Sequence, residues 1–293
     1  MDFVGKLFAL GCALTWAVAV ILFKIAGDSI RPLALNWYKT ALTSLLLLPF
    51  LFAQGLGGLT GNGMAMALLS GVLGIAVSDT LFFVALDRLG ASQTAIVDCF
   101  YAPCAMLSAW AMLGEMPRAV QVAGALCVIS AVLVVSLDRG RSRVNVDRRR
   151  LVTGFLAGVA AMATMGVSIT VMKPILAHGS VWVVTELRAL AALAVLTAAM
   201  ALGRDWREQF ASLGWHGAWR HALPASFLGN VVSMVFWVAA FKYTSVNSAA
   251  ILNQTNMVFV VIMATWILKE PFSRHRLVGT ALAFSGAVMV LAV

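Results

Sequence analysis

Ten apolar runs, each close to the roughly 20 residues that carry a helix across a hydrocarbon core, follow one another at 3–26, 32–53, 64–86, 91–113, 119–137, 151–172, 180–202, 222–241, 246–268 and 275–293. The longest polar stretches between them are only 138–150 and 203–221. No soluble domain fits in such a chain, so its function resides inside a helical bundle. Composition agrees: 61% of residues are hydrophobic and 11% charged, against an apolar share of about 45–50% in soluble domains. The first run lacks the basic start, short core and small-residue cleavage site of a signal peptide and is expected to be a retained helix.

Lys and Arg gather at one set of loops. Arg139, Arg141, Arg143, Arg148, Arg149 and Arg150 crowd the segment after the fifth run, Arg204, Arg207 and Arg220 follow the seventh, and Lys269, Arg274 and Arg276 follow the ninth. The opposite loops, such as 54–63 and 177–180, carry almost none, with Arg118 and Lys242 the main exceptions. By the positive-inside rule the central linker is expected in the cytoplasm and both termini outside. The net charge of +9 is then a topogenic anchor near anionic lipid rather than a nucleic-acid surface. Trp206, Phe210, Leu213, Trp215 and Trp219 are expected to form an interfacial amphipathic stretch on the same side.

The chain also repeats itself. Residues 73–135 match 228–290 at a constant offset of 155 without a gap, with Leu73, Gly74, Ser78, Ala85, Ile96, Leu113, Glu115 and Gly124 on Leu228, Gly229, Ser233, Ala240, Ile251, Leu268, Glu270 and Gly279. The earlier runs match at an offset of 149, pairing Lys24 with Lys173 and Lys39 with Arg188. Five is odd, so two such copies in one chain lie in opposite orientations across the membrane. The expected fold is all-α, an integral membrane bundle of ten transmembrane helices in two inverted five-helix repeats, 1–140 and 151–293, around a central cavity, with a basic linker at 141–150. Two half-bundles of similar energy can trade conformations and open a midplane site to each side in turn.

With this repeat, the aromatic Leu14-Thr15-Trp16 in the first helix, the basic residue in the second helix of each half (Lys39, Arg188), and the turns Gly114-Glu115 and Lys269-Glu270-Pro271 before each last helix, the sequence resembles the EamA-type permeases of the drug/metabolite transporter superfamily over essentially its whole length. The resemblance implies transport of amino acids or related metabolites, commonly outward, or of nucleotide-sugars or sugar phosphates, coupled to an exchanged solute or to protons. Lys39 stands where arginine is usual, which puts a bidentate carboxylate or phosphate contact there in question.

A charge at membrane depth costs about 2.5–3.5 kcal/mol even on lenient insertion scales, so each one needs a partner or a role. Lys39, Asp79, Asp98, Glu186 and Arg188 fall within the runs, whereas Lys24 and Lys173 lie near helix ends and can snorkel. Asp98 has Asn253 as its repeat counterpart, and Asp98, Tyr101, Asn253 and Asn256 form polar stripes suited to a central cavity. Asp98 is equally readable as structural glue paired with Lys39 or Arg188. Asp79 has Met234 as its counterpart, so symmetry gives it no structural duty, and with Asp98 it is a candidate for proton coupling. Glu186 and Arg188, two apart on a helix, do not share a face. Glu115 and Glu270 sit at helix junctions, where a helix N-terminus can satisfy a carboxylate. Trp16 in the first helix, and Asn230 and Trp237 in the eighth, add an aromatic and polar wall for an amphiphilic solute. Small residues at four-residue spacing in helices five and ten (Ala123, Cys127, Ala131; Gly279, Ala283, Ala287) read as packing or dimer surfaces, leaving monomer or homodimer open.

Other function classes lack their chemistry. Cys12, Cys99, Cys104 and Cys127 show no paired spacing, and His178, His216, His221 and His275 lie in or beside loops, so no metal or cofactor is expected. There is no HExxH, Gly-x-Ser-x-Gly or Walker sequence, which argues against a membrane-embedded enzyme or a self-contained ATP-driven pump. A channel would show rings of like residues. The reading that remains is a multi-pass secondary transporter of a bacterial inner membrane, taking a small zwitterionic solute such as an amino acid, with a nucleotide-sugar or organic-phosphate exchanger as the alternative within the same fold.

Overall fold

In hydrocarbon a backbone must satisfy its own hydrogen bonds, so apolar runs become helices. A computed structural model describes residues 2–56, 58–59, 61–136, 148–214, 217–267 and 274–291. Each of the ten runs is there a helix or a pair of helical pieces: α1 (Asp2–Gly27), α2 (Pro32–Gln54), α3 (Gly61–Leu89), α4 (Ala91–Asp98 and Tyr101–Leu113), α5 (Ala119–Ser136), α6 (Arg148–Ala177), α7 (Val181–Leu202), α8 (Trp219–Tyr243), α9 (Val246–Ile267) and α10 (Arg274–Leu291). Among the described residues α1, α3, α6, α7, α8 and α9 are long and apolar enough to cross a membrane by length and composition alone. The 23-residue α2 is diluted by Asn36, Lys39, Thr40 and Thr43, all of which are buried within the bundle. Helix α6 begins at Arg148, inside the segment assigned to the linker; the rest of that linker lies outside the described residues.

Packing follows the repeat. Helix α1 lies against α8 and α9, and α6, its counterpart, lies against α3 and α4; α2 packs on α7, α4 on α9 and α5 on α10. Exchanging each helix for the one five places along leaves this map unchanged, as a two-fold relation between inverted halves requires. Helices α5 and α10, which carry the small-residue spacing, pack on one another within the chain.

The irregularities obey the same relation. A π-helical stretch at Val72–Asp79 in α3 recurs at Phe227–Val232 in α8, and the helix breaks at Cys99 and Phe100 in α4 and at Gln254 and Thr255 in α9. Both pairs stand at the offset of 155, and such local unwinding re-aims side chains at functional sites.

Close approach is built from small residues. Ser70 and Ser168 clasp α3 to α6, each hydroxyl donating to the other's carbonyl at 2.9 and 2.8 Å, and Ser78 donates to the Ala161 carbonyl at 2.8 Å. A Cβ on Gly71 would stand 2.2 Å from the Arg188 carbonyl oxygen. Gly114 ends α4 at φ 67°, a left-handed turn that favours glycine, and aims Glu115 so that its carboxylate accepts from the Val246 backbone N–H at 3.1 Å, at the N-terminus of α9. Glu270 lies outside the described residues.

At the linker end, where α7 finishes and α2 begins, Arg31 pairs with Asp205 at 3.0 Å and with Glu208, tying the short helix Trp206–Ser212 to the bundle with Trp206 and Phe210 exposed. The hydrogen bond from Gln209, with Arg31 adding, holds the Asp205 carboxyl below the usual range. Lys24 reaches Asp28 at 2.8 Å. Its counterpart Lys173 instead donates to the Phe241 and Thr244 carbonyls, the latter at 2.6 Å, and so closes the C-terminus of α8.

Because α3 and α7 meet backbone to backbone at Gly71, Gly71→Ala is expected to destabilise the protein by about 1–3 kcal/mol through overpacking, read as a lower thermal midpoint in detergent. An unchanged midpoint would show that the two helices have room to separate.

Candidate functional site

The unwound turns of α3 and α8 and the breaks in α4 and α9 converge on a central cavity of about 690 Å³ of atom-free space, counted out to its mouth. Helix α1 contributes Cys12, Ala13 and Trp16; α3 Asp79 and Phe82; α4 Asp98 and Tyr101; α6 Met162 and Met165; α7 Arg188; α8 Gly229, Ser233, Met234 and Trp237; α9 Asn253, Gln254 and Asn256. Helices from both halves thus share the lining, which lets relative motion of the halves reshape it.

Two basic residues occupy equivalent places in α2 and α7, and their surroundings differ. The ammonium of Lys39 is fully buried and donates to Asp79 Oδ2 at 2.6 Å and to Asn230 Oδ1 at 2.8 Å. Asn230 in turn donates to Thr43 Oγ1 at 2.7 Å. This pair is neutral overall and hydrogen-bonded on several sides, the condition under which buried charge is tolerated. Lys39 and Asn230 stand behind the cavity wall, and Asp79 belongs to it.

Arg188 is also fully buried but has no carboxylate partner among the described residues. One terminal nitrogen, Nη1, donates to Ser70 Oγ and lies 3.0 Å from the Met172 sulfur, while Nε and Nη2 have no hydrogen-bond partner. Its guanidinium carbon lies 5.1 Å from the Trp237 ring centre, which holds the group electrostatically without using its donors. Trp237 is fixed by donating its indole N–H to Tyr101 Oη at 3.1 Å.

Asp98 is not glued to either cation. Its carboxylate accepts from Asn256 Nδ2 at 2.8 Å, across the interface between the two broken helices, and Lys39 is committed to Asp79. Among the described residues Gln254 Oε1 and Asn256 Oδ1 have no hydrogen-bond partner, and Asn253 reaches only the Tyr101 hydroxyl, so the same wall presents further polar groups. The cavity accordingly offers a guanidinium on the α7 side and a carboxylate with amide groups on the α4 and α9 side.

Of the residues singled out in the sequence, Trp16, Asp79, Asp98, Tyr101, Arg188, Trp237, Asn253 and Asn256 meet at this cavity. Glu186 does not; it is buried elsewhere on α7. Cys12, Met162, Ser233 and Gln254 line the wall without having been anticipated. Phe82 and Met165 were equally missed, yet the offsets of 155 and 149 map them onto Trp237 and Trp16. Carrying each candidate across the repeat was the signal that would have found them. Asp79, unmatched by symmetry, proves to have the closest ion-pair partner among the buried charges.

The sequence profile of the EamA-like transporter family matches residues 3–137 and again 152–292, one match to each half. The chain belongs to the EamA-like transporter family. A solved structure titled "Crystal structure of protein" is similar across 97% of this chain and 95% of its own, with a TM-score of 0.75 and 17% identity, which shows the shared fold. No curated protein matches the chain. As an EamA-like protein of the drug/metabolite transporter superfamily it is a multi-pass membrane transporter of small molecules.

Lys39→Met alone leaves the Asp79 carboxylate buried without its cation and is expected to cost about 3–5 kcal/mol, whereas Lys39→Met with Asp79→Asn should recover most of that loss. Thermal unfolding of both variants and of Asp79→Asn closes the double-mutant cycle. A double variant destabilised by the sum of the two single losses would mean that the pair contributes nothing as a pair.

Proposed function

We propose that this transporter moves a small zwitterion, an amino acid or close analogue, by alternating access, with the solute's carboxylate on Arg188 and its ammonium toward Asp98, Asn253 and Asn256. The observation that carries this reading is the broken symmetry of the two basic positions: Lys39 is neutralised by Asp79, and Arg188 keeps two unused donors. A planar guanidinium with free N–H groups matches a carboxylate better than any other side chain does. A carboxylate without a cationic partner in the same small cavity favours a solute that also carries a positive charge and disfavours a polyanion such as a nucleotide-sugar. The aromatic wall of Trp16, Phe82 and Trp237 suits an apolar side chain.

Net flux is read as export across a bacterial inner membrane, against protons or a counter-solute, by resemblance to the family; the charge asymmetry of the loops supports a cytoplasmic arginine-rich linker end. The protein acts as a monomer or homodimer in lipid.

The test is binding by purified protein of a panel of amino acids, their amides and decarboxylated amines, and organic phosphates, followed as a rise in thermal midpoint and confirmed by uptake into proteoliposomes. Wild type should respond to zwitterions only. Arg188→Gln should weaken that binding roughly 30-fold or more, the loss expected when one partner of a buried hydrogen-bonded charge pair is removed, and the amides and amines should bind both proteins equally poorly. A response to phosphates or nucleotide-sugars with none to amino acids would replace this reading with the exchanger alternative.

A further inference from the structure

The seam between α2 and α7 joins the two halves away from the cavity, and a carboxyl is sealed inside it. Glu186 has no exposed surface, and neither of its oxygens has a hydrogen-bond partner. The Ser44 hydroxyl on α2 is the side chain whose dipole reaches it, and that hydroxyl has no hydrogen-bond partner of its own. By the offset of 149 the counterpart of Glu186 is Trp37. That indole does have a partner across the seam, donating to Thr197 Oγ1 at 2.9 Å. Further along the same seam Phe50 and Trp182 stack at 4.6 Å and 10°. Glu186 and its neighbour Ser44 are thus the unsatisfied groups of this contact among the described residues.

No charged group faces it among the described residues. From α2, Lys39 is bound to Asp79 and Asn230, and Tyr38 lies against Trp219. From α3, Asp79 is held by Lys39. From α8, Lys242 donates to the Gly179 carbonyl, and from the short helix Glu208 pairs with Arg31. Arg188, on the same helix, points to Ser70, Met172 and the cavity. An ionised carboxylate in such a place would have lost its hydration with only the Ser44 dipole in return, so the group that fits is the neutral acid.

We propose that Glu186 is a proton-binding site of this transporter: neutral while the α2–α7 seam is closed, it gives up its proton only when the two halves move and water enters the seam. The bound proton rests on the carboxyl and shares the Ser44 hydroxyl; on opening, the O–H bond breaks, the proton passes to water and the carboxylate stays behind until a proton from the other aqueous phase reseals it. One proton is taken up and one returned per cycle, and no other reactant is needed. The inference that this proton drives flux rests on the transport reading above; the presence of the proton does not.

Infrared spectra of the purified full-length protein test the site itself. At neutral pH wild type should show a protonated-carboxyl C=O band that is absent in Glu186→Gln and displaced in Ser44→Ala, which keeps the carboxyl but removes the hydroxyl. Identical carboxyl bands in wild type and both variants would mean that Glu186 is ionised and overturn the proposal. Flux in proteoliposomes tests the coupling. If one proton exchanges per solute, a one-unit pH gradient supports about tenfold accumulation of a carried amino acid. Glu186→Gln, isosteric with the neutral acid, should lose that accumulation while still exchanging labelled for unlabelled solute. Undiminished accumulation in the variant would overturn the coupling. A wild type that carries no amino acid would sink the zwitterion reading, with the infrared band still deciding whether Glu186 holds a proton.

Discussion

Buried charge in a bundle with hydrocarbon around it is the constraint on which this structure turns. An apolar helix can be placed in lipid at no electrostatic cost, but each ion carried inward must be compensated or put to use. Lys39 and Asp79 meet at 2.6 Å with Asn230 completing the ammonium's coordination, and this neutral node ties α2, α3 and α8 together behind the cavity. Its existence sets the character of the other charges. With Lys39 committed, Arg188 and Asp98 are left facing the cavity without an ion pair among the described residues, and Glu186 is left in the seam without a charged partner there.

An inverted repeat supplies the scaffold, and departures from the repeat supply the chemistry. The π-helical turns of α3 and α8 and the breaks of α4 and α9 are matched pairs, because they depend on backbone geometry that both halves need in order to surround one site. The residues mounted on them are not matched: Asp79 opposes Met234, Asp98 opposes Asn253, Phe82 opposes Trp237 and Lys39 opposes Arg188. Symmetric backbones give two conformations of similar energy, and asymmetric side chains allow a solute or a proton to favour one of them.

The helices were legible because burial in lipid is decided residue by residue along the chain: Pro32–Gln54 was expected at 32–53 and Val246–Ile267 at 246–268. The cavity wall was legible where polar residues interrupt an apolar run, as at Asp98, Tyr101, Asn253 and Asn256. Apolar lining residues such as Met162 and Phe82 look in sequence like any other lipid or core residue and carried no such mark. Partner choice was illegible for a different reason. Asp98 and Asp79 are both acids in mid-helix, and which of them reaches Lys39 depends on the rotation of α3, set in part by its π-helical turn, rather than on spacing along the chain.

By itself the sequence determined the number and extent of the helices, the repeat that relates them and the side of the bundle where arginines collect, because hydropathy, self-similarity and charge are properties of a linear string. Only the tertiary structure decided that Lys39 is neutralised and Arg188 is not, that Asn256 rather than a cation serves Asp98, and that Glu186 is sealed between α2 and α7. Those outcomes depend on distances of a few ångströms between residues as many as 191 positions apart, and contacts of that kind exist only once the helices have packed.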